Sequence, residues 1–272
     1  MADGPPDLGG FADVDRSGSP EALAGYLDAV RDVAAVGEWK RRSFDLLDPR
    51  PGAVLLDLGC GTGEDVLALA DRVAPGGRAL GIDRSATMIV EARRRAGGRS
   101  DVGFLQGDAL DLPLPDADVD GARAERVLLH VEDPADVIAE MMRVLRPGGR
   151  IVVAEPDWST LVVDAPLPEA GRAIAVAAAG RFRSPFVGHT LRRLLRAAGA
   201  ADVTVAARTL LIHDPDAAEG LFQFADAAAR AVAEGHLDQA TADAWRAGVR
   251  ATGRSGDLLV AMTAFMAAGR RD

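Results

Sequence analysis

The chain has 272 residues, of which 26% are charged and 48% hydrophobic, and its formal net charge is −10. This length suffices for one full core, and the acidic balance disfavours nucleic acid as a partner because phosphates require a cationic surface. The single cysteine, Cys60, excludes an internal disulfide and a cysteine-rich zinc site, and it fits a reducing cytoplasm. No eighteen-residue apolar run occurs, so no membrane span is predicted.

The N-terminal fifty residues divide into two parts. Residues 1–20 are rich in Gly, Pro, Asp and Ser and lack the basic start and apolar centre of a signal peptide, so we predict a flexible tail. Residues 21–50 have the apolar spacing of one or two helices, with Tyr26 and Trp39 on the inward face.

A glycine-rich turn follows the first predicted strand. The apolar run at residues 54–58 leads into Gly59, Gly61 and Gly63. A strand, a glycine turn and then a helix is how α/β folds build nucleotide sites. The dinucleotide fingerprint G-x-G-x-x-G would place its third glycine at position 64, which is Glu64, so the spacing disfavours a nicotinamide cofactor.

Two more apolar segments end at acids. Residues 79–83 end at Asp83, twenty residues beyond Gly63, where Rossmann-like folds place an acid against ribose hydroxyls. The alternative is a helix cap formed by Asp83 or Ser85. Residues 102–113 contain Gly107-Asp108-Ala109 before Leu112-Pro113.

Two further strands are predicted at residues 118–123 and 149–155. Between them, the Leu-Arg-Pro-Gly-Gly sequence at residues 145–149 predicts a turn, because Pro147 cannot continue a helix. The stretch after the fourth strand does not carry the N/D-P-P-Y/F motif of amino-methylating nucleic-acid enzymes.

Together, these four motifs resemble class I S-adenosylmethionine (SAM) methyltransferases, in particular the menaquinone-type and natural-product group. The resemblance covers roughly residues 50–155 and carries D-x-G-x-G-x-G at residues 57–63. It implies a Rossmann-like α/β fold with a seven-stranded, mostly parallel sheet, helices on both faces and an antiparallel last strand. The last two strands are expected near residues 202–212 and 258–268.

The resemblance also divides the chain. Residues 21–50 would form N-terminal lid helices, and residues 51–272 the methyltransferase domain, with substrate-cap helices near 156–190 and 213–256. Asp57 would order the glycine loop beneath the methionine end of SAM. Asp83 would bind the ribose, Asp108 the adenine amine, and the Ala109 amide a ring nitrogen. The full set of implied cofactor residues is Asp57, Gly59, Cys60, Gly61, Gly63, Asp83, Arg84, Met88, Asp108, Ala109, Ala124 and Glu125.

The acceptor site is predicted from aromatic and charged residues in the lid and cap. These are Tyr26, Trp39, Arg126, Trp158, Phe182 and Phe186. Ordinary helix packing is an equal alternative for the aromatic ones. Arg126 is either a substrate contact or an ion-pair partner of Glu132 or Asp133. Of four histidines, His130 follows the fourth strand and is the predicted base; a structural role is its alternative.

The sequence therefore predicts a cytoplasmic, SAM-dependent methyltransferase that acts on a small molecule, with O-methylation favoured over C- or N-methylation. S-adenosylhomocysteine (SAH) would be the product. No metal, membrane or nucleic acid is expected, and a homodimer is compatible with the chain. One alternative is a SAM-binding enzyme that catalyses cyclisation or decarboxylation. A nicotinamide-dependent reductase is disfavoured further because the single tyrosine, Tyr26, is not part of Y-x-x-x-K.

Overall fold

A computed structural model describes residues 8–17, 20–31 and 34–272. Its core is one mixed sheet with helices on both faces. The strands are β1 (Val54–Leu58), β2 (Arg78–Asp83), β3 (Val102–Gln106), β4 (Val119–Glu125), β5 (Leu145–Pro156), β6 (Val162–Val163), β7 (Ala201–Ile212) and β8 (Val260–Arg270).

The helices are α1 (Pro20–Arg31), α2 (Ala34–Leu46), α3 (Glu64–Val73), α4 (Ala86–Ala96), α5 (Pro134–Val144), α6 (Pro168–Ala179), α7 (Leu191–Ala197), α8 (Pro215–Phe222), α9 (Phe224–Ala233) and α10 (Gln239–Ser255). Helices follow β1, β2 and β4, whereas β3 leads to β4 without a helix; α7 packs against β7 and β8, and the other late helices form a cap. In the cap, α6 packs against α9 and α10.

The sheet has the predicted topology. β1 pairs in parallel with β2 and β4, β3 continues beyond β2, and β5 beyond β4. β8 lies antiparallel between β5 and β7. β7 pairs along one edge of β8. The other edge of β8 pairs with β6 at its first two residues and with β5 further along, so the eight strands form a sheet seven strands wide. The Rossmann-like prediction is confirmed.

Burial explains why these segments form strands and helices. The sheet is covered on both faces, so the central strands are nearly continuous apolar runs: Leu55 and Leu56 of β1 are buried, as are residues 151–154 of β5. Helix α3 instead buries one stripe, at Val66, Leu69, Ala70 and Val73, as the helical repeat requires.

Two sequence predictions need correction. The predicted Pro-Gly-Gly turn is a bulge inside β5, with Gly148 at φ 82°. Residues 8–17 do not form a flexible tail but fold into two 3-10 helices, Leu8–Ala12 and Val14–Arg16. Leu8 and Val14 are buried there, because a three-residue repeat places Leu8, Phe11 and Val14 on one face. Residues 1–7 and 18–19 of the predicted tail lie outside the described residues.

None of the helices in the described ranges is both long enough and apolar enough to cross a bilayer.

Candidate functional site

The site is a cavity of about 330 Å³ at the carboxyl ends of the parallel strands. It opens at the end of β1, which lies between β2 and β4. The chain leaves β1 toward β2 and β3 on one side and later returns to β4 and β5 on the other. In open α/β sheets such a switch point is where ligands bind. Residues 8–17, α1 and α2 cover the cavity from one side, and residues of the cap close the other.

The glycine loop is shaped by backbone constraints at its ends. Gly59, Gly61 and Gly63 have φ values of 69°, 49° and 85°, the left-handed region that glycine adopts most easily. A Cβ on Gly59 would lie 2.4 Å from Val127, and one on Gly63 would lie 2.8 Å from Phe104. These glycines therefore serve close packing within the chain as well as access to a ligand.

Asp83, rather than Asp57, holds this loop. The Asp83 carboxylate accepts the Gly61 amide at 2.9 Å through Oδ2 and the Ser85 amide at 2.9 Å through Oδ1. The Gly59 and Cys60 amides donate to the Ile82 carbonyl. Each carboxylate oxygen keeps a free lone pair, so Asp83 can still accept hydroxyl protons from a ribose. Burial raises the pKa of Asp83.

Asp57 instead belongs to a buried ion cluster beneath the loop. Arg123 on β4 is 1% exposed; its Nη1 lies 2.5 Å from Asp57 and 3.1 Å from Asp65, and its Nη2 binds Glu125. Lys40 of α2 binds Asp65 at 2.5 Å. Burial raises the pKa of Asp57 to about 6 although Arg123 opposes this, while Arg123 and Lys40 lower that of Asp65 to about 2 against the effect of burial.

The predicted adenine contacts also line the cavity. Met88 is 2% exposed, and Asp108, Ala109 and Arg84 line the same cavity. The Arg84 guanidinium donates to the Ala12 carbonyl at 2.5 Å, which ties this part of the lining to the 3-10 helices of residues 8–17. Asp108 accepts the Leu110 amide at 3.0 Å and forms a tight turn with Asp111.

Beyond the loop, aromatic rings line the rest of the cavity. Phe11 lies 5.9 Å from Tyr26 and 5.8 Å from His130, measured between ring centroids. Phe182 continues the row at 5.4 Å from His130 and 4.9 Å from Trp158, and Phe222 follows at 6.0 Å from Trp158. The wall combines rings from residues 8–17, α1, the turn after β4 and the cap.

The His130 imidazole is a neutral member of this wall. It sits between Phe11 and Phe182, its Nδ1 is buried, and it has no hydrogen-bond partner in the described part of the chain. Burial and the nearby Arg126 charge lower the pKa of His130 to about 3. The imidazole is therefore a weak proton acceptor at neutral pH.

Glu155 at the end of β5 is a second buried polar group in this wall. Its Oε1 accepts the amides of Val127 at 2.9 Å and Leu128 at 2.7 Å, which fixes the start of the 3-10 turn Leu128–His130. Burial raises the pKa of Glu155 to about 8, although these backbone bonds oppose the shift. Glu155 is 1% exposed and thus holds a proton in most molecules at pH 7.

Comparison with known proteins identifies the family. A family model described as a methyltransferase domain matches residues 49–183. Nocamycin O-methyltransferase of Saccharothrix syringae is 35% identical over 219 residues, covering 72% of this chain and 76% of that protein. The chain belongs to the class I SAM-dependent methyltransferases.

Other relatives extend this assignment. An uncharacterised 37.1 kDa protein from transposon TN4556 of Streptomyces fradiae is 41% identical over 231 residues, covering 85% of this chain and 67% of that protein. Demethylmenaquinone methyltransferase of Beutenbergia cavernae is 38% identical, but the match covers only 53% of this chain and 60% of the relative. The crystal structure of YcgJ from Bacillus subtilis has a TM-score of 0.61 at 21% identity, covering 85% and 98% of the two chains, and shows the same fold.

The methyltransferase has residues that fit SAM. Glycine backbone at Gly59 and Gly61 leaves room for a ligand, and Asp83 retains acceptor capacity for the ribose. Met88 and Asp108 line the same cavity, and they would offer a purine an apolar side chain and a carboxylate. When bound, SAM supplies an activated methyl group on a sulfonium.

Most of the predicted site residues meet in the one cavity, and three do not line it. Gly63 packs against Phe104 and Ala92 behind the loop, and Ala124 is buried within β4. Phe186, a predicted substrate contact, is 47% exposed and lies outside the cavity lining. Exposure of an aromatic side chain cannot be read from residue type, because it depends on where the cap chain turns.

The acidic residue nearest to Arg126 is neither of the predicted ion-pair partners, Glu132 and Asp133. The Arg126 Nε lies 3.9 Å from Glu125 Oε1, whereas Glu132 is bound by Arg183. Arg126 lines the cavity in a left-handed conformation, with φ 57°, which a residue with a side chain seldom adopts.

The sequence predictions missed two of the buried polar residues, Arg123 and Glu155. Both carried a signal: a charged residue inside or at the end of an otherwise apolar strand, in a sheet covered on both faces. Glu155 also repeats the pattern of strand-terminal acids already noted at Asp57 and Asp83. Within residues 8–17, 20–31 and 34–272, no cluster of three His, Cys, Asp or Glu side chains could hold a metal ion.

Proposed function

We propose that this methyltransferase transfers a methyl group from SAM to an oxygen atom of an apolar, ring-containing small molecule. The observation that carries the proposal is the aromatic wall from Tyr26 to Phe222, which lines the same cavity as the glycine loop. Rings stack on or pack edge-to-face with planar ligands, so this wall favours a flat acceptor. The likeness to an O-methyltransferase of a natural product supports oxygen as the acceptor atom.

In this proposal the chain acts mainly by alignment. Asp83, Met88 and Asp108 hold the nucleoside of SAM, and the ion cluster around Arg123 supports the loop below the methionine end. Phe182 and Trp158 hold the acceptor ring, and His130 lies at the junction of the two halves. Placing the acceptor oxygen in line with the methyl group supplies most of the rate enhancement, because transfer to an activated methyl group needs little further chemistry.

The experiment is to incubate the protein with SAM carrying a ¹³C-labelled methyl group and a panel of aryl alcohols, aryl carboxylates, enols and quinols. SAH and the labelled product are detected by mass spectrometry, and the carbon shift of the new methyl group by NMR identifies its bonded atom. An O-methyl product supports the proposal. A C-methyl product as the sole outcome contradicts the choice of oxygen.

Phe182 and Phe186 provide a matched pair of variants for the acceptor wall. Phe182→Leu removes a ring from the cavity, whereas Phe186→Leu changes an exposed ring outside it. We expect Phe182→Leu to raise KM for the acceptor about tenfold, since a ring contact contributes about 0.5–1.5 kcal/mol beyond its buried area. Phe186→Leu is expected to leave KM unchanged, and equal effects of the two variants would contradict the assigned wall.

One alternative from the sequence is tested by the same assay. A SAM-binding cyclase or decarboxylase would consume its substrate without forming SAH. A homodimer, which the sheet edges allow, is measured by light scattering. Nucleic acid remains a disfavoured acceptor because the chain carries a net charge of −10.

A further inference from the structure

Four buried polar atoms without hydrogen-bond partners belong to residues that line the cavity. Among the described residues, five buried side-chain nitrogen or oxygen atoms have no hydrogen-bond partner. Four of them belong to residues that line this one cavity: Arg126 Nε, His130 Nδ1, Glu155 Oε2 and Trp158 Nε1. An unsatisfied buried polar atom is costly, so such a concentration indicates a ligand that completes these bonds.

The chemistry of these atoms defines what the ligand must offer. Arg126 Nε and Trp158 Nε1 carry hydrogens and can only donate. Glu155 Oε1 already accepts two backbone amides, so the proton of its carboxyl group resides on Oε2, which then also donates. His130 Nδ1 can donate in one of its two tautomers. Three of the four atoms are thus donors that lack a hydrogen-bond acceptor among the described residues.

The same residues offer little basicity at neutral pH. Burial lowers the pKa of His130 to about 3 and raises that of Glu155 to about 8, so one is a weak base and the other is already protonated at pH 7. An acceptor with a neutral hydroxyl would need to lose a proton to one of them. An acceptor that is anionic in solution needs no such transfer.

We propose that the acceptor is an apolar molecule bearing a carboxylate, and that Arg126, Trp158 and Glu155 receive its oxygens. The proposal rests on the proposed function and specifies its substrate class. Arg126 lines the cavity and supplies the counter-charge, since its contact with Glu125 is long, at 3.9 Å between Nε and Oε1. Arg181 adds positive charge near the same wall. Burial raises the pKa of the Tyr26 phenol, and the charges of Arg126 and Arg181 both oppose that shift.

The reaction balances without a base. A carboxylate oxygen donates an electron pair to the methyl carbon of SAM while the sulfur–carbon bond breaks and its electron pair stays on sulfur. The products are a methyl ester and neutral SAH, and no proton is released. Methylation of an alcohol or phenol would release one proton for each SAH formed.

The first test measures binding of two planar probes by calorimetry with protein saturated in SAH. Naphthoate carries a carboxylate, and naphthol has the same ring system with a neutral hydroxyl. We expect naphthoate to bind about tenfold or more tightly than naphthol at pH 7, because charge-assisted hydrogen bonds are the stronger ones. Equal affinity of the two probes would overturn the proposal.

Arginine variants show whether Arg126 carries this preference. Arg126→Met should weaken naphthoate binding about tenfold or more and leave naphthol binding unchanged. Arg183→Met is the matched control, because Arg183 binds Glu132 at a half-exposed position outside the cavity lining. If Arg126→Met instead weakens SAH binding and spares naphthoate, Arg126 serves the cofactor carboxylate and the proposal fails.

The variant Glu155→Gln tests whether Glu155 acts as a hydrogen-bond donor or as a base. In this variant the side-chain carbonyl oxygen can replace Oε1 and accept the two backbone amides, while the side-chain amide group donates where Oε2 did. Naphthoate binding should therefore survive the substitution, and its decline above about pH 8 in the parent should disappear, since the parent carboxyl group ionises there. A rise in parent activity through pH 8 that Glu155→Gln abolishes would identify Glu155 as a base and overturn the proposal.

Other titratable groups near Glu155 do not obscure its effect on naphthoate binding near pH 8. Glu125 on β4 adds negative charge to its surroundings, and Arg126 and His130 follow that strand. Asp157, just beyond β5, is bound to His189 at 2.6 Å. A control titration of Glu155→Gln over the same pH range corrects for all of them.

Activity separates failure of this inference from failure of the proposed function. Esterification of aryl carboxylates with no proton release per SAH supports both. Methylation of phenols but not of carboxylates, with one proton released per SAH, overturns the carboxylate proposal and leaves O-methylation intact. SAH formation with neither class, or a C-methyl product alone, contradicts the proposed function itself.

Discussion

Acidic residues at strand ends have different roles in this enzyme because their immediate neighbours differ. Asp83 accepts backbone amides on both oxygens and holds the glycine loop. Asp57 is paired with Arg123 beneath that loop. Glu155 has only backbone donors on one oxygen, so burial dominates and raises its pKa. All three are acidic residues at or next to the end of a strand, so the difference in role follows from their contacts.

Substitution of Asp83 tests the ribose assignment. Asp83→Asn keeps the size of the side chain and one carbonyl oxygen, but it removes the charge and one acceptor. We expect the Kd for SAH, measured by calorimetry, to rise about tenfold to a hundredfold, since hydrogen bonds to charged groups contribute about 1.5–3 kcal/mol. Asp111→Asn, at an exposed turn, should bind SAH like the parent, and near-native affinity of Asp83→Asn would show that the ribose lies elsewhere.

Removal of the buried Arg123 charge tests the ion cluster. Arg123→Met leaves Asp57, Asp65 and Glu125 without their common partner, and breaking a buried pair costs about 3–5 kcal/mol. The loss should be largest near pH 8 and smaller near pH 5, because protonation relieves carboxylates whose pKa values rise without Arg123.

Urea unfolding at both pH values measures this effect. Arg150→Met, at an exposed position on β5, serves as the control and should lose little stability. A loss for Arg123→Met that is independent of pH would show that packing, rather than charge, accounts for it.

At the scale of elements, the cover segment, defined as residues 8–17 and 20–31, is fastened to α4. Asp15 accepts the Ser85 hydroxyl at 2.6 Å and the Ala86 amide at 2.8 Å, at the start of that helix. Asp28 of α1 binds Arg95 near the other end of α4 at 2.8 Å. Because α4 begins three residues after Asp83, these contacts place the cover segment next to the residues predicted to bind the cofactor.

Weakening the contact between Asp15 and the start of α4 should speed dissociation of the cofactor. Asp15→Asn weakens the acceptor for the first amides of α4, an effect of about 0.5–2 kcal/mol for comparable helix caps. We expect SAH to dissociate several-fold faster in stopped-flow displacement. Asp13→Asn, in the same segment and paired with exposed Arg16, is the control.

The Asp15 contact should persist across neutral pH. Hydrogen bonding to Ser85 lowers the pKa of Asp15 from 3.8 to about 2. Its stabilisation is therefore present above about pH 4 and is lost as the pH falls through 2. Unchanged SAH dissociation in Asp15→Asn at pH 7 would mean that cofactor exchange does not require this contact to open.

At the scale of the whole molecule, the cavity unites residues that are far apart in the chain. The glycine loop follows β1, Glu155 ends β5, and Phe222 belongs to α8, yet all line one space. A ligand that fills it connects the sheet, the cover segment and the cap. Binding should therefore stabilise the complete fold rather than one part of it.

Thermal unfolding with ligands tests this linkage and the choice of cofactor. SAH at about a hundred times its Kd adds about 2.7 kcal/mol, which corresponds to an increase in Tm of roughly 5–10 °C for a domain of this size. NADPH at the same concentration should leave Tm unchanged. A shift with NADPH but not with SAH would reverse the cofactor assignment.

The sequence by itself determined the sheet and the place of the cofactor, because both depend on local patterns. Apolar runs of strand length predicted the parallel strands, the glycines lay where the backbone is left-handed, and Asp83 ended the second strand. The spacing at Glu64 disfavoured a dinucleotide before any contact was known.

Only the tertiary structure decided what the polar groups do. Whether Phe182 or Phe186 faces the cavity depends on the path of the chain through the cap. The Gly, Pro, Asp and Ser content of residues 1–20 predicted a flexible tail, although residues 8–17 form two 3-10 helices. The partners of Arg123, the proton on Glu155 and the neutrality of His130 depend on burial and charge brought together from distant segments. Those interactions act through space, so the order of residues along the chain does not contain them in readable form.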